Sequence, residues 1–555
     1  MNEPLSPKRR CPRASVWLAL CTTALFTSQA GAQGAARTPE RSCTSLEQLA
    51  TAGFRIVALL ARDADAKYPA HCDLTAALDE RTGIDGRRYA IGMHLRLPAA
   101  WNGRFVFQGQ GGTDGVLGEG DAQPGGGRPS ALNQGYATVT TDAGHVNQPG
   151  VLGSSLFGLD PQARVDFGYR ADDVVATAAK KVLATYYGSG PKYSYFIGCS
   201  NGGRHGMSVS QRFAHHFDGV AAGAPGFRMP EKGLSGAAAT QGFAAIAPKA
   251  ADGRPILSRA LSSEDMKLLA GGVLGACDAL DGLVDGLIDN APACRFSARD
   301  LQCTGEKTAA CLSPDQVGAL ENYFSGPTNA QGRRIYAPYP YDAGIATDSW
   351  RRWILGTAQD GRANAFNVSF GASLGYLYMT PPHPLANDAL AVYDFYRTVD
   401  VTQAHQRIFA TSATAPESSV QIISANSVDL SAFKARQGRL ILYHGLSDPS
   451  FSALDTVDWY ERLNRNENSR ADVHARLFLV PGMNHCSGGP ATDSFDVLEP
   501  LVAWVEKSQP PERIVARANA ASPWPQRTRP LCPYPRQARY NGAGSIEDAA
   551  SFSCR

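Results

Sequence analysis

Beyond the first thirty residues there is no run of about twenty apolar residues, so no later segment can serve as a membrane-spanning helix. Neither a CxxC nor an HxxxH spacing occurs, and the common zinc frameworks are therefore missing. No charge of one sign prevails: 53 Lys and Arg stand against 51 Asp and Glu, a formal net charge of +2. The basic residues are thinly spread, and nothing electrostatic favours nucleic acid or an acidic membrane as partner. Internal repeats are absent, and only GEGDAQPGGGRP (Gly118–Pro129) drifts toward low complexity, as a surface loop does. These absences leave a small molecule as the expected substrate.

What is present begins with the pattern of an export signal over residues 1–32. Lys8 to Arg13 is positively charged, Ala14 to Phe26 is apolar, and Ala30-Gly31-Ala32 is a small-x-small cleavage site. LALC (Leu18–Cys21) does not read as a lipoprotein site, because Leu20 is bulky and the apolar run continues past the cysteine. A periplasmic or secreted chain without a stable membrane anchor is expected; a retained signal anchor is the alternative. Of twelve cysteines, Cys11 and Cys21 fall in this segment, and ten remain. An even number in an exported chain suggests five disulfides. Spacing suggests local closures Cys43–Cys72, Cys277–Cys294, Cys303–Cys311 and Cys532–Cys554, leaving Cys199 and Cys486, with buried free thiols as the other reading.

At 555 residues the chain exceeds one simple core. RRYAIGMHLRL, RFVFQG, GYATVTTDAG, YSYFIG and FDGVAAGAP have strand character, and ADDVVATAAKKVLATYYG has helical spacing that stops at glycine. A helix is expected from about Arg204 to Phe217. The alternation fades near Gly226 and resumes near Asp429 with GRLILYHGLSD, DTVDWYERLNR, HARLFLVPGMNHC and FDVLEPLVAWVEK. This grammar predicts an α/β fold with a mostly parallel, doubly wound sheet. Its parts are 33–225 and 429–555, interrupted by an insertion at 226–428.

Gly198-Cys199-Ser200-Asn201-Gly202 matches G-x-S-x-G, the tight strand-to-helix turn that lifts a serine hydroxyl above a sheet. With 56 glycines in the chain a chance match is common, and Gly371-Ala372-Ser373-Leu374-Gly375 is a second one. Only Ser200 follows an apolar strand and opens a helix, so it is the expected nucleophile. A serine needs a base, and the base needs an orienting acid. Asp448 in YHGLSDPSFS and His485 in PGMNHC follow strands in the required chain order. His444 precedes Asp448 by four residues and is read as supporting the acid or lining the substrate site. If Ser200 and His485 meet, Cys199 and Cys486 lie close enough to bond. The oxyanion requires two N–H donors, expected from Asn201 and from the loop FQGQGGTDG, with Gly112 first and Gly111 second.

The stretches FGLDPQAR, YFIGCS, AAGAPG, FSALDT, LFLVPGMNHCSGGP and RTRPLCPYP, with a cysteine beside both serine and histidine, resemble the tannase and feruloyl esterase family. The resemblance spans about Cys43 to Cys554. It implies an α/β-hydrolase fold whose insertion is a lid. It also implies a structural Ca²⁺ in CDALDGLVDGLIDNAPAC, held by the side chains of Asp278, Asp281 and Asp285 and the carbonyls of Leu283 and Leu287. Trp353, Phe370 and Phe451 match aromatic positions that enclose the substrate ring.

Family members acting on terephthalate monoesters grip the free carboxylate with a lid arginine. Here Asn367 stands at that position, with Arg362 as a possible substitute, and Asn201 replaces an acidic residue. The expected activity is therefore hydrolysis of feruloyl- or galloyl-type aromatic esters through an acyl-enzyme. Hydrolysis of mono(hydroxyethyl) terephthalate is the alternative, and an inactive aromatic-ligand binder the remote one.

Overall fold

The computed structural model describes residues 43–555, and the expected export segment with Cys11 and Cys21 lies outside them. The described residues fall within one compact unit. Nine strands form the central sheet: β1 (Phe54–Arg62), β2 (His71–Thr82), β3 (Arg88–Pro98), β4 (Arg104–Gln108), β5 (Ala137–Thr141), β6 (Tyr193–Cys199), β7 (Gly219–Gly223), β8 (Arg439–Gly445) and β9 (Ala475–Val480). Their spatial order is β1-β2-β3-β5-β4-β6-β7-β8-β9. The pairs from β5 through β9 are parallel, and β1, β2, β3 and β5 pair antiparallel.

The parallel part follows the sequence expectation. The hairpin β1–β2 does not: it precedes the first strand expected. The apolar run FRIVALLAR in β1 lacks a clean alternation, and it is a half-exposed edge strand that takes its form from pairing with β2.

Successive side chains of β6 point to opposite faces and so into two different cores. Phe196 packs among Val175, Ala179 and Leu183 of the helix Ala171–Tyr187 and Met207 of the helix Asn201–Arg212. Tyr195 and Ile197 face Leu498, Leu501 and Trp504 of the helix Leu498–Lys507. The helix Ala171–Tyr187 ends at Gly188, whose φ of 81° is the left-handed cap that glycine adopts freely.

Between β7 and β8 the chain adds no strand to this sheet and instead builds a helical layer around its own core, including Phe243, Leu269, Val273, Leu320 and Trp350. A second cluster joins that layer to the sheet domain, with Phe157 and Phe167 against Leu374, Leu377, Ile422 and Phe451. Five disulfides are formed: Cys43–Cys72, Cys199–Cys486, Cys277–Cys294, Cys303–Cys311 and Cys532–Cys554.

Candidate active site

Parallel strands bring their C-terminal ends to one edge of the sheet. The loops after β4, β6, β8 and β9 gather there, carrying Gly109–Asp114, Ser200, Asp448 and His485. The helix after β6 begins at Asn201, directly behind Ser200, and ends at Arg212, earlier at both ends than the sequence pattern suggests. Ser200 has φ 64° and ψ −125°, a left-handed conformation that costs a non-glycine residue roughly 1–3 kcal/mol. Two flanking glycines make the turn possible. A Cβ on Gly198 would meet the Gly202 backbone at 2.5 Å, and one on Gly202 would meet the Gly109 carbonyl oxygen at 2.4 Å. The same closeness presses the glycine-rich loop after β4 onto the serine turn, where the Gly109 N–H donates to the Ile197 carbonyl over 3.0 Å. Gly112 in that loop has φ 65°, and the Asn201 amide lies in the first turn of its helix, where N–H groups have no intrahelical partner.

His485 Nε2 lies 2.8 Å from Ser200 Oγ, and His485 Nδ1 lies 2.7 Å from Asp448 Oδ2. The carboxylate can only accept, so Nδ1 carries the proton and Nε2 is left as acceptor for the serine hydroxyl. The other Asp448 oxygen accepts the Ser450 and Phe451 amides at 2.7 and 3.0 Å. Burial opposes the Asp448 charge, yet the His485 and His444 rings facing it hold its pKa well below the ordinary carboxylate value.

His444 is fully buried behind Asp448 rather than on a cavity wall. Its Nε2–H faces the Phe451 carbonyl at 3.0 Å and Asp448 Oδ2 at 3.3 Å, while Nδ1 accepts from Thr456 Oγ1 at 2.8 Å. The Cys199–Cys486 disulfide joins the residues next to Ser200 and His485 across a sequence separation of 287. On the chain-entropy estimate, closing a loop of that length is worth roughly 5–6 kcal/mol.

The inserted helical layer and the loop after β8 supply aromatic walls. Trp353 meets the His485 ring edge-on at 5.1 Å and stacks on Phe366 at 4.0 Å, Phe451 meets His485 at 5.5 Å, and Phe370 lies 6.0 Å from Trp353. Asn367 is buried nearby, and its Nδ2 has no partner among the described residues. Arg362 points away: its side chain is 78% exposed and pairs with Asp360 at 2.8 Å. Ser373 begins a turn of helix, hydrogen-bonded to Ser155 at 3.1 Å, and has no base beside it among the described residues.

The Asn201 side chain is also turned inward. Its Nδ2 donates to Asp114 and its Oδ1 accepts from Arg204 Nε at 2.6 Å. Asp114, two residues beyond Gly112 with φ 47°, thereby anchors the glycine loop to the helix behind Ser200. Sequence reading gave Asp114 no role. A carboxylate flanked by TDG in a glycine-rich loop was its only signal.

In the loop Cys277–Cys294 the Asp278 oxygens accept the Asp285 and Gly286 amides, Asp281 accepts those of Leu283 and Asp289, and Asp285 receives Arg529. Burial, then the neighbouring Asp285 and Asp278 charges, pushes Asp281 up to about 6, and burial also raises Asp278. The carbonyls of Leu283 and Leu287 accept no hydrogen bond from a described residue. Crowded carboxylates and free carbonyls in a short, disulfide-closed loop fit a hard cation such as Ca²⁺.

A sheet of this order, a serine turn after the inner strand β6 and an acid and histidine after later strands define an α/β-hydrolase fold. The profile of the family "Tannase and feruloyl esterase" matches residues 76–555. The mono(2-hydroxyethyl) terephthalate hydrolase of Piscinibacter sakaiensis is 46% identical over 517 residues, 88% of this chain and 85% of that protein. Among solved structures, an esterase from Aspergillus oryzae aligns with a TM-score of 0.74 at 23% identity, covering 92% of this chain and 99% of that one. Feruloyl esterase B from Aspergillus oryzae aligns at 0.73 and 24%, with the same coverage. At these identities the structural likeness shows the fold. The chain belongs to the tannase and feruloyl esterase family and is a carboxylic ester hydrolase.

Proposed function

We propose that this protein is an exported serine esterase that hydrolyses esters of aromatic carboxylic acids. The observation carrying this reading is the hydrogen-bonded series Ser200–His485–Asp448 under the walls of Trp353 and Phe451. Ser200 Oγ attacks the ester carbonyl while His485 Nε2 takes its proton. Asp448 holds the imidazole in the tautomer this needs and stabilises the imidazolium. The amides of Gly112 and Asn201 receive the oxyanion, and His485 returns the proton to the departing alkoxide. Water, deprotonated by the same nitrogen, then frees the acid from the acyl-enzyme. Five disulfides support an oxidising destination, and no helix among the described residues is long and apolar enough to cross a membrane.

Side-by-side kcat/KM values for methyl ferulate, methyl gallate, mono(2-hydroxyethyl) terephthalate and ethyl butyrate test the reading. At least one aromatic ester is expected to exceed the aliphatic one by about tenfold or more. Equal or faster turnover of ethyl butyrate would sink it.

A structural Ca²⁺ belongs to the same reading, with Asp278, Asp281 and Asp285 as side-chain ligands and Leu283 and Leu287 as carbonyl ligands. Removing it leaves buried carboxylates repelling one another, so chelation is expected to lower Tm by several degrees and added Ca²⁺ to restore it. A Tm indifferent to chelator speaks against the ion.

A further inference from the structure

The lid helix Met229–Ile246 carries a lysine, Lys232, in its first turn, where the helix dipole disfavours a cation. The residue is 4% exposed. Its ammonium sits 3.7 Å from the centre of the Phe370 ring and has neither a hydrogen-bond acceptor nor a carboxylate within ion-pair distance among the described residues. Burial pushes its pKa down to about 7, against the pull of the Asp448 charge. A buried cation without a counter-charge is expensive and calls for an explanation.

Lys232 lines a small cavity together with Trp353, Phe370, Asn367, Tyr323 and Pro449. Two further polar groups of that lining, Asn367 Nδ2 and the Tyr323 hydroxyl, are buried and find no acceptor among the described residues, the Trp350 ring N–H being a donor to the phenol oxygen. Side chains that are 4% and 5% exposed would ordinarily satisfy such groups within the protein. The cavity also adjoins the reacting groups, since Pro449 follows Asp448 and the Trp353 ring touches His485. Three donors without an acceptor among the described residues, one of them charged, lining one aromatic cavity form the complement of an anion.

We infer that Lys232, Asn367 and Tyr323 form a subsite that takes the second carboxylate of an aromatic diacid monoester whose ester group lies at Ser200. The inference rests on the esterase reading of Ser200 and narrows its substrate class. An entering carboxylate exchanges the cation–π contact with Phe370 for an ion pair and gives the two orphaned donors their acceptor. A neutral phenol would leave the ammonium without a counter-charge. Asn367 then assists a lysine that reaches the cavity from a different lid helix, and the exposed Arg362 has no part in it.

The test compares mono(2-hydroxyethyl) terephthalate with 2-hydroxyethyl benzoate and 2-hydroxyethyl 4-hydroxybenzoate, which share the scissile ester and alcohol. The wild-type protein is expected to favour the carboxylate-bearing ester over the benzoate by about tenfold or more in kcat/KM, chiefly through KM. Terephthalate should likewise inhibit benzoate-ester hydrolysis at a concentration at least about tenfold lower than benzoate does. In Lys232→Met the carboxylate-to-benzoate preference should collapse to within about threefold of unity.

A wild-type ratio near one, inhibition no stronger by terephthalate than by benzoate, or a ratio that survives in Lys232→Met overturns the subsite. So does a larger gain from the para hydroxyl than from the para carboxylate, which assigns the donors to phenolic acids. The inhibition comparison needs no variant and decides the matter if Lys232→Met does not fold. Hydrolysis of the benzoate ester without a carboxylate preference defeats the subsite alone, whereas failure to hydrolyse any of the three defeats the esterase reading itself.

Discussion

Ser200→Ala is expected to lower kcat on any aromatic ester by at least about 10³-fold while leaving Tm within a few degrees of wild type. The size of the loss follows from the geometry. Among the described residues Ser200 Oγ is the only hydroxyl on His485 Nε2, at 2.8 Å, and without it the base can activate only a water that the turn does not hold in place. What survives is what the oxyanion donors and the aromatic walls contribute by binding. Folding should tolerate the change, because the turn is held by glycine contacts and by the Ser200 backbone N–H on the Gly223 carbonyl, at 2.9 Å, none of which needs the hydroxyl. Single-turnover kinetics with purified protein is the measurement, and residual activity above a few per cent of wild type would remove Ser200 from the mechanism.

Asp448→Asn should cost nearly as much, roughly 10³–10⁴-fold in kcat, for a different reason. Asparagine keeps an oxygen for the Ser450 and Phe451 amides, so the loop retains its shape. Its NH₂ then faces His485 Nδ1, which must become the acceptor and send its proton to Nε2. In that tautomer Nε2 cannot take the serine proton. The negative charge that stabilises the imidazolium is lost as well. His444 cannot stand in, because it presents an N–H and not an oxygen. If kcat falls less than about tenfold with Tm unchanged, Asp448 is not orienting His485.

The parallel half of the sheet was legible because its strands are short apolar runs separated by helical spacings, and that alternation admits few other folds. Ser200, Asp448 and His485 were legible for a related reason, since each directly follows such a run. The edge hairpin β1–β2 was not, because a half-exposed strand owes its form to its partner more than to its own pattern. Lys232 and Tyr323 were invisible for a stronger reason. Nothing in MPEKGLSG distinguishes a lysine that snorkels to solvent from one folded under an aromatic ring; only the packing of Phe370 onto it makes the difference. Asn367 drew notice through the resemblance as a missing charge, whereas in the fold it is an unpaired donor beside a charge carried by another helix. The Asn201 side chain, noted through the resemblance as standing in place of an acidic residue, is spent on Asp114 and Arg204.

The bond between Cys199 and Cys486 has a topological consequence. It turns the chain from the serine turn to the histidine loop, the whole lid included, into a closed covalent ring. A single cut by a protease anywhere in that ring opens it without producing two molecules, since the strands that precede Ser200 remain bonded to the segment that follows His485. The exposed loops of the lid are thus the part of the chain where one nick leaves nucleophile and base tied together. The two side chains thereby stay on one molecule even after the most accessible region has been severed.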